Sequence, residues 1–202
     1  LDNSIDTLLI TDISGYNYQI SPDISSFNKL YVGSKEEFTF LSSLFNFSSN
    51  SWDTFFDSTV TVDSILFKVF SGDSLIQDNI NLNLYFSPDS IFDESSSLVS
   101  ELGNVVFDEW VSLGIPSVEV VVDTSDTVSS FQETVLKWDI GGLVETIIDT
   151  STLYRTFSLS LPSGSSSFFE LYSREYSSGG VDPKIEVYYR REIGSNTDSF
   201  VI

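Results

Sequence analysis

Carboxylates are the side chains of this chain that are best able to do chemistry. The sequence contains 30 Asp and Glu residues against 9 Lys and Arg residues, and it has no His and no Cys. The commonest general base and the strongest nucleophile are therefore missing. Two carboxylates at a suitable separation can hydrolyse a glycoside, but with so many acids some pair always qualifies. We expect a protein that is not an enzyme.

The loop Asp123-Thr124-Ser125-Asp126 is the candidate for a metal site. Calcium takes about six to eight oxygen ligands, which Asp123, Asp126 and backbone carbonyls together would supply. A solvated acidic surface explains the same residues without a metal, and that is the favoured interpretation. We expect no cofactor, with calcium at Asp123 and Asp126 as the alternative.

Arg174 and Glu175 are neighbours on a predicted strand, so their side chains should point to opposite faces of a sheet. An arginine on a sheet face can hold a carboxylate from another strand in a bidentate pair. Asp139 is the predicted partner of Arg174, and Asp63 is the second candidate. We expect a structural ion pair that fixes strand register, with a ligand contact by Arg174 as the alternative.

The three tryptophans, Trp52, Trp110 and Trp138, are candidates for stacking against a sugar ring. Their spacing is irregular and each lies among apolar residues. Large aromatic side chains are mostly buried, so packing in the core is favoured over glycan contact.

Short apolar and alternating runs separated by Ser, Asn, Asp and Gly predict the elements that position these side chains. The chain has no alanine and 14% aromatic residues, a composition that favours pleated sheets over helices. About ten strands suit an all-β fold, namely a two-sheet, jelly-roll-like antiparallel sandwich with one short helix and terminal arms.

The longest predicted strand runs from Val60 to Phe70, with a register shift near Asp63 and Ser64. Its alternation places Phe67 and Val69 on the face opposite to Lys68. Near the end of the chain, the segments 171–176 and 181–189, separated by a Ser-Ser-Gly-Gly turn, predict two antiparallel strands that close the sandwich.

One segment after Trp138 predicts a short helix, because Leu143, Val144, Ile147 and Ile148 fall on one helical face.

We assign residues 1–15 to an N-terminal arm, 16–191 to the β-sandwich domain and 192–202 to a C-terminal arm. Apolar residues in the arms are the predicted contacts with a neighbouring subunit: Leu8, Leu9, Ile10, Phe200, Val201 and Ile202.

Several segments in preserved order resemble the DNRLRE family of secreted and surface modules, which is related to a group of carbohydrate-binding sandwiches. The resemblance lies in Leu30-Tyr31-Val32-Gly33, Ser43-Leu44-Phe45-Asn46-Phe47, Val62-Asp63-Ser64-Ile65-Leu66-Phe67-Lys68-Val69, Trp138-Asp139-Ile140-Gly141-Gly142-Leu143-Val144, and Ser173-Arg174-Glu175 with Pro183-Lys184-Ile185-Glu186-Val187-Tyr188. It implies a jelly-roll-like sandwich in cell-wall, extracellular or virion surface proteins, and it implies no catalytic reaction.

The formal net charge of −21 gives a surface that repels phosphate backbones and anionic membrane faces. We therefore expect neither nucleic acid binding nor membrane insertion.

The predicted function is a non-enzymatic structural component of a surface assembly, a phage or virus virion protein such as a capsid decoration, head fibre or tail appendage. Its partners would be copies of itself or subunits of a shell or appendage, and its location would be the virion or the cell surface. The alternative is a carbohydrate-binding module that binds a surface glycan on a secreted or cell-surface protein.

Overall fold

The computed structural model describes residues 27–35, 38–40, 42–48, 59–72, 80–87, 109–123, 131–149, 154–176, 180–191 and 198–201. These residues form twelve strands, a 3-10 turn over Gly141–Leu143 and one short helix. The elements are β1 (Lys29–Lys35), β2 (Phe38–Phe40), β3 (Ser42–Ser48), β4 (Val60–Ser71), β5 (Asn83–Ser87), β6 (Val111–Gly114), β7 (Ser117–Asp123), β8 (Phe131–Asp139), α1 (Val144–Ile148), β9 (Tyr154–Ser160), β10 (Phe168–Tyr172), β11 (Lys184–Arg191) and β12 (Asp198–Val201).

The strands form three antiparallel sheets in a sandwich-like arrangement. A five-stranded sheet has the order β12-β11-β4-β8-β7, a four-stranded sheet has the order β3-β9-β5-β6, and a three-stranded sheet has the order β10-β1-β2. The all-β fold with one short helix, predicted from the β-branched and aromatic composition, is confirmed.

The core is organised around the aromatic ring of Phe67 at the centre of β4. This ring stacks at 4.9 Å on Phe157 of the four-stranded sheet and meets Phe45 and Trp138 edge-on at 5.4 and 5.8 Å. Each aromatic pair contributes about 0.5–1.5 kcal/mol beyond its buried area. The buried cluster also takes Val32 from the three-stranded sheet, so all three sheets share one core.

β4 carries the predicted register shift. Tyr188 pairs with Ser64 and Tyr189 pairs with Val62, so Asp63 is left as the extra residue of a β-bulge. The carboxylate of Asp63 accepts bidentate hydrogen bonds from the Arg190 guanidinium, at 2.7 to 3.0 Å. Beyond the bulge, Phe67 is buried on the core face and Lys68 lies on the opposite face, as the alternation predicted.

The predicted helix after β8 is confirmed as the 3-10 turn followed by α1. The backbone carbonyls at the C-terminal end of α1 accept hydrogen bonds from Arg155 of β9, a residue with no exposed surface. Arg155 donates from Nε to the carbonyl of Ile147 and from Nη2 to the carbonyl of Asp149, both at 2.6 Å. A cation beside the last carbonyls of a helix is favoured by the helix dipole. Within the described residues, no helix is long and apolar enough to cross a membrane.

One expectation about the C-terminal part of the chain is wrong. The two predicted closing strands are present as β10 and β11, and they lie in different sheets, because β10 pairs with β1 whereas β11 lies between β4 and β12. The assigned C-terminal arm is in part a strand of the sandwich, because Asp198–Val201 pairs antiparallel with β11. The backbone of Phe200 and Val201 is therefore tied to the five-stranded sheet, which is inconsistent with a free arm at these residues.

Candidate functional site

Exposed apolar residues are concentrated in one short stretch of the chain. In the described part of the chain, the exposed large hydrophobic residues are Phe27 and four residues within the stretch 111–121. We name these four residues the apolar edge, and their exposed fractions are 46% for Val111, 49% for Ile115, 45% for Val120 and 42% for Val121. Single exposed apolar residues are ordinary on a protein surface, but a concentration of them is a candidate interaction site.

These four residues lie on two consecutive edge strands and on the link between them. β6 ends at Gly114, whose φ of +77° permits a sharp change of direction, and only Ile115 and Pro116 separate it from β7. The Nε1 atom of Trp138 donates to the carbonyl of Gly114 at 3.0 Å and fastens this link to β8. Because β6 is an edge strand of the four-stranded sheet and β7 an edge strand of the five-stranded sheet, the link joins an edge of one sheet to an edge of the other.

A row of three lysines crosses the outer face of the five-stranded sheet. The register places Lys184 opposite Lys68 and Lys68 opposite Lys137. Like charges directly opposite each other on adjacent strands are unfavourable. Glu186 relieves the repulsion by pairing with Lys68, and Glu119 does so by pairing with Lys137.

The electrostatics of this lysine row follow from its partial burial. The pKa of Lys137 is lowered, first by burial and then by the nearby charge of Lys68. Burial alone would raise the pKa of Glu186, but hydrogen bonds from Lys68 and from Tyr188 outweigh it and lower that pKa. In turn, the hydrogen bond to Glu186 raises the pKa of Tyr188. Two of the three lysines are thus paired with carboxylates, and the third, Lys184, donates to the backbone carbonyl of Gly180, so the row has a structural role.

An aromatic surface covers the outer face of the three-stranded sheet. Tyr31 and Phe168 stack with ring centroids 5.7 Å apart, and both are half-buried. The ammonium of Lys35 lies 5.3 Å from the centre of the Phe168 ring, and Lys29 pairs with Glu170 at 2.8 Å. We name Tyr31, Phe168, Lys29 and Lys35 the aromatic face. The sequence interpretation considered only tryptophans as sugar platforms and missed this face, although Tyr31 and Lys35 share the alternation of β1.

A second aromatic pair lies at the end of that face. Tyr172 and Tyr176 stack at 4.0 Å, and Lys29 lies 4.3 Å from the Tyr172 ring centre. Burial, with a hydrogen bond to Tyr176, raises the pKa of Tyr172 to about 12. This tyrosine stays protonated at neutral pH and packs as part of a small core with Phe70, Val135 and Val181.

The predicted ion pair between Arg174 and Asp139 is wrong. β10 ends at Tyr172, because the Ser173 hydroxyl accepts a hydrogen bond from the backbone N–H of Glu175 and the chain turns there. The side chain of Arg174 is 73% exposed and pairs with Glu175 at 2.8 Å. The Asp139 carboxylate instead accepts from the backbone N–H of Gly141 at 2.9 Å, which starts the 3-10 turn. The second candidate, Asp63, pairs with Arg190.

The structure tests some of the predictions made for the three tryptophans and for the acidic loop, and leaves the others untested. Trp138 is buried in the core, so it is not a glycan contact, and core packing was the better interpretation. Trp110 is half-buried, and Trp52 lies outside the described residues. Asp126 also lies outside them, as do Leu8, Leu9, Ile10 and Ile202. The described residues contain no cluster of acidic side chains able to hold a metal ion, and calcium at Asp123 and Asp126 stays a prediction.

Comparison with known proteins adds no family. No family model matches the chain, no curated protein matches it, and no solved structure matches it. The resemblance to the DNRLRE family therefore rests on the sequence segments alone. What this chain does must be inferred from its own surfaces.

Proposed function

We propose that this chain is a non-enzymatic structural component of a surface assembly, and that the assembly is a phage or virus particle. The apolar edge is the observation that carries the proposal. Four large apolar side chains, each more than two-fifths exposed, lie on two consecutive edge strands, one from each of two sheets, and on the link between them. Burying them against a neighbouring subunit would remove apolar surface from water at about 25 cal/mol per Å².

The chemistry of the chain supports the same proposal. With no His and no Cys in the sequence, the side chains most used for acid–base and nucleophilic catalysis are absent. The strongly negative surface keeps a displayed domain soluble until it docks. The partner in this proposal is a shell or appendage subunit, and the location is the surface of the particle.

The test is co-sedimentation of the protein with native particles on a density gradient. Double substitution of Val120→Lys and Val121→Lys should release most of the protein from the particle fraction, since two charges would have to be buried in the contact. Ser199→Lys is the matched control, because it adds a charge at an exposed position of β12, at the other edge of the same sheet. Retention of the double variant on particles, or absence of the unmodified protein from them, would overturn the proposal.

Carbohydrate binding is the second candidate, and the aromatic face is the observation that favours it. Stacked rings flanked by ammonium and carboxylate groups resemble the surfaces on which sugars stack and hydrogen-bond. Co-sedimentation with insoluble cellulose, chitin or peptidoglycan tests it, with Tyr31→Ser as the variant and Tyr85→Ser, half-buried on the four-stranded sheet, as the control. Retention on one of these polymers that Tyr31→Ser alone abolishes would support this candidate, and no retention on any of them would reject it.

A further inference from the structure

The two adjacent valines of β7 expose apolar surface on opposite faces of the five-stranded sheet. Val120 is in register with Thr134, which is buried on the core side, and Val121 is in register with Glu133 on the outer side. A partner that packed flat against either face would cover one valine and leave the other in water. Only a partner lying in the plane of the sheet, beside β7, contacts both valines.

β7 is an edge strand, so its backbone can form hydrogen bonds with a partner strand. β7 is seven residues long, and among the described residues it pairs with β8 alone. On the side away from β8, the described residues supply no strand partner for the N–H and C=O groups of β7, and an extended segment can add there as a further strand. Native proteins usually protect such an edge with charges or proline. In β7 Glu119 carries a charge, but Val120 and Val121 beside it are exposed.

The charge around β7 indicates the chemistry of the partner. Glu119 of β7 and Asp139 of the neighbouring β8 are exposed, Glu133 is half-buried, and Lys137 is the one basic side chain in β7 or β8. The whole chain carries a net charge of −21, so a second copy would approach against strong repulsion. A cationic segment would be attracted by the same field.

We propose that β7 accepts an added strand from a cationic partner segment in which two adjacent valine-like residues are flanked by Lys or Arg. The inference rests on the proposed function, since it names the partner chemistry and binding mode of the apolar edge. Two adjacent apolar side chains of the incoming strand lie beside Val120 and Val121, one on each face of the sheet, and the next side chain, which is basic, lies beside Glu119. Backbone hydrogen bonds supply affinity, and the side chains supply specificity.

The test uses four synthetic peptides with capped ends, each matching β7 in length. The first contains valine and lysine. The second and third have the same sequence with alternate backbone nitrogens methylated on one edge or on the other, and the fourth has glutamate in place of lysine. Methylation preserves charge and side chains but removes the donors that strand pairing needs. Isothermal titration of the full chain with each peptide separates backbone pairing from electrostatic attraction.

We expect the first peptide to bind, methylation on the pairing edge to weaken binding at least about tenfold, and the glutamate peptide not to bind. The isosteric double substitution Val120→Thr and Val121→Thr, which keeps charge and strand propensity, should weaken binding of the first peptide about tenfold. Equal affinity of the first peptide and both edge-methylated versions would overturn strand addition, and equal affinity of the glutamate peptide would overturn the cationic partner. The peptide titration tests only strand addition at β7. The proposed function is tested independently by co-sedimentation with particles, so the failure of one proposal can be told from the failure of the other.

Discussion

The Nε atom of Arg155 donates a hydrogen bond to the backbone carbonyl of Ile147 at 2.6 Å, in a part of the core where the arginine has no exposed surface. This contact joins β9 to the end of α1. Arg155→Met removes the charge and leaves the carbonyls of Ile147 and Asp149 without these donors. Since each buried carbonyl left without a donor costs about 1–3 kcal/mol, we expect the free energy of unfolding, measured by urea titration, to fall by about 2–5 kcal/mol.

Arg174→Ala is the matched control for loss of an arginine. Its side chain is largely exposed and its ion pair is with the adjacent residue, so the expected change is within about 0.5 kcal/mol. A larger loss of stability for Arg174→Ala than for Arg155→Met would show that the buried arginine does not hold the end of α1.

Much of the fold could be predicted from local sequence patterns. The alternation through Phe67, Lys68 and Val69 determined which face of β4 is buried, because successive strand residues point to opposite faces. The helical spacing of Leu143, Val144 and Ile147 predicted the only helix in the described residues. These signals are local, since each depends on residues within about ten positions of one another.

The candidate surfaces could not be predicted in the same way. Which strands become sheet edges depends on pairing between segments far apart in the chain, so the exposure of Val120 and Val121 was not visible in a run that is typical of a buried strand. Arg155 is a partial exception, because it shares the alternation of Phe157 and Leu159 and could have been placed on the core face. Arg174 was misplaced because the turn at Ser173 was not recognised.

Gly33 is the position where we expect a single methyl group to be most harmful. Its φ is +112°, and a Cβ atom there would collide with the carbonyl oxygen of Ser167 and lie 2.9 Å from Leu161 Cδ1. Backbone strain and overpacking together should lower the free energy of unfolding by about 3 kcal/mol or more in Gly33→Ala. Thermal unfolding followed by circular dichroism measures the change.

Gly164→Ala separates the two causes. Gly164 also has a positive φ, of +80°, but a Cβ atom there meets nothing within 4 Å. Only backbone strain applies, so a loss of about 1–2 kcal/mol is expected. Equal losses in the two variants would show that the close approach of Ser167 to Gly33 contributes nothing.

Glu186 should contribute stability that depends on pH. Its pKa is lowered in the folded state by hydrogen bonds from Lys68 and Tyr188, in spite of partial burial. The folded protein therefore holds the ionised form more strongly than the unfolded chain does. This stabilisation is present above the ordinary pKa of 4.5 and is lost as the pH falls through the lowered pKa of the folded state.

Urea midpoints of the unmodified protein and Glu186→Gln should thus differ at pH 7, and the difference should shrink as the pH falls below about 4.5. Glu145→Gln on the exposed side of α1 controls for the loss of one negative charge from an acidic protein. A difference between the unmodified protein and Glu186→Gln that stays constant down to pH 2 would contradict the assigned role of Glu186.

Hydrogen–deuterium exchange of the protein on and off native particles tests the central claim most directly, because it reports which strand is covered in the assembly. The account predicts that amides of β7 exchange much more slowly on the particle, while amides of β1 and β10 beneath the aromatic face exchange at the same rate in both states. Unchanged exchange in β7, together with slowed exchange in β1 and β10, would contradict docking through the apolar edge.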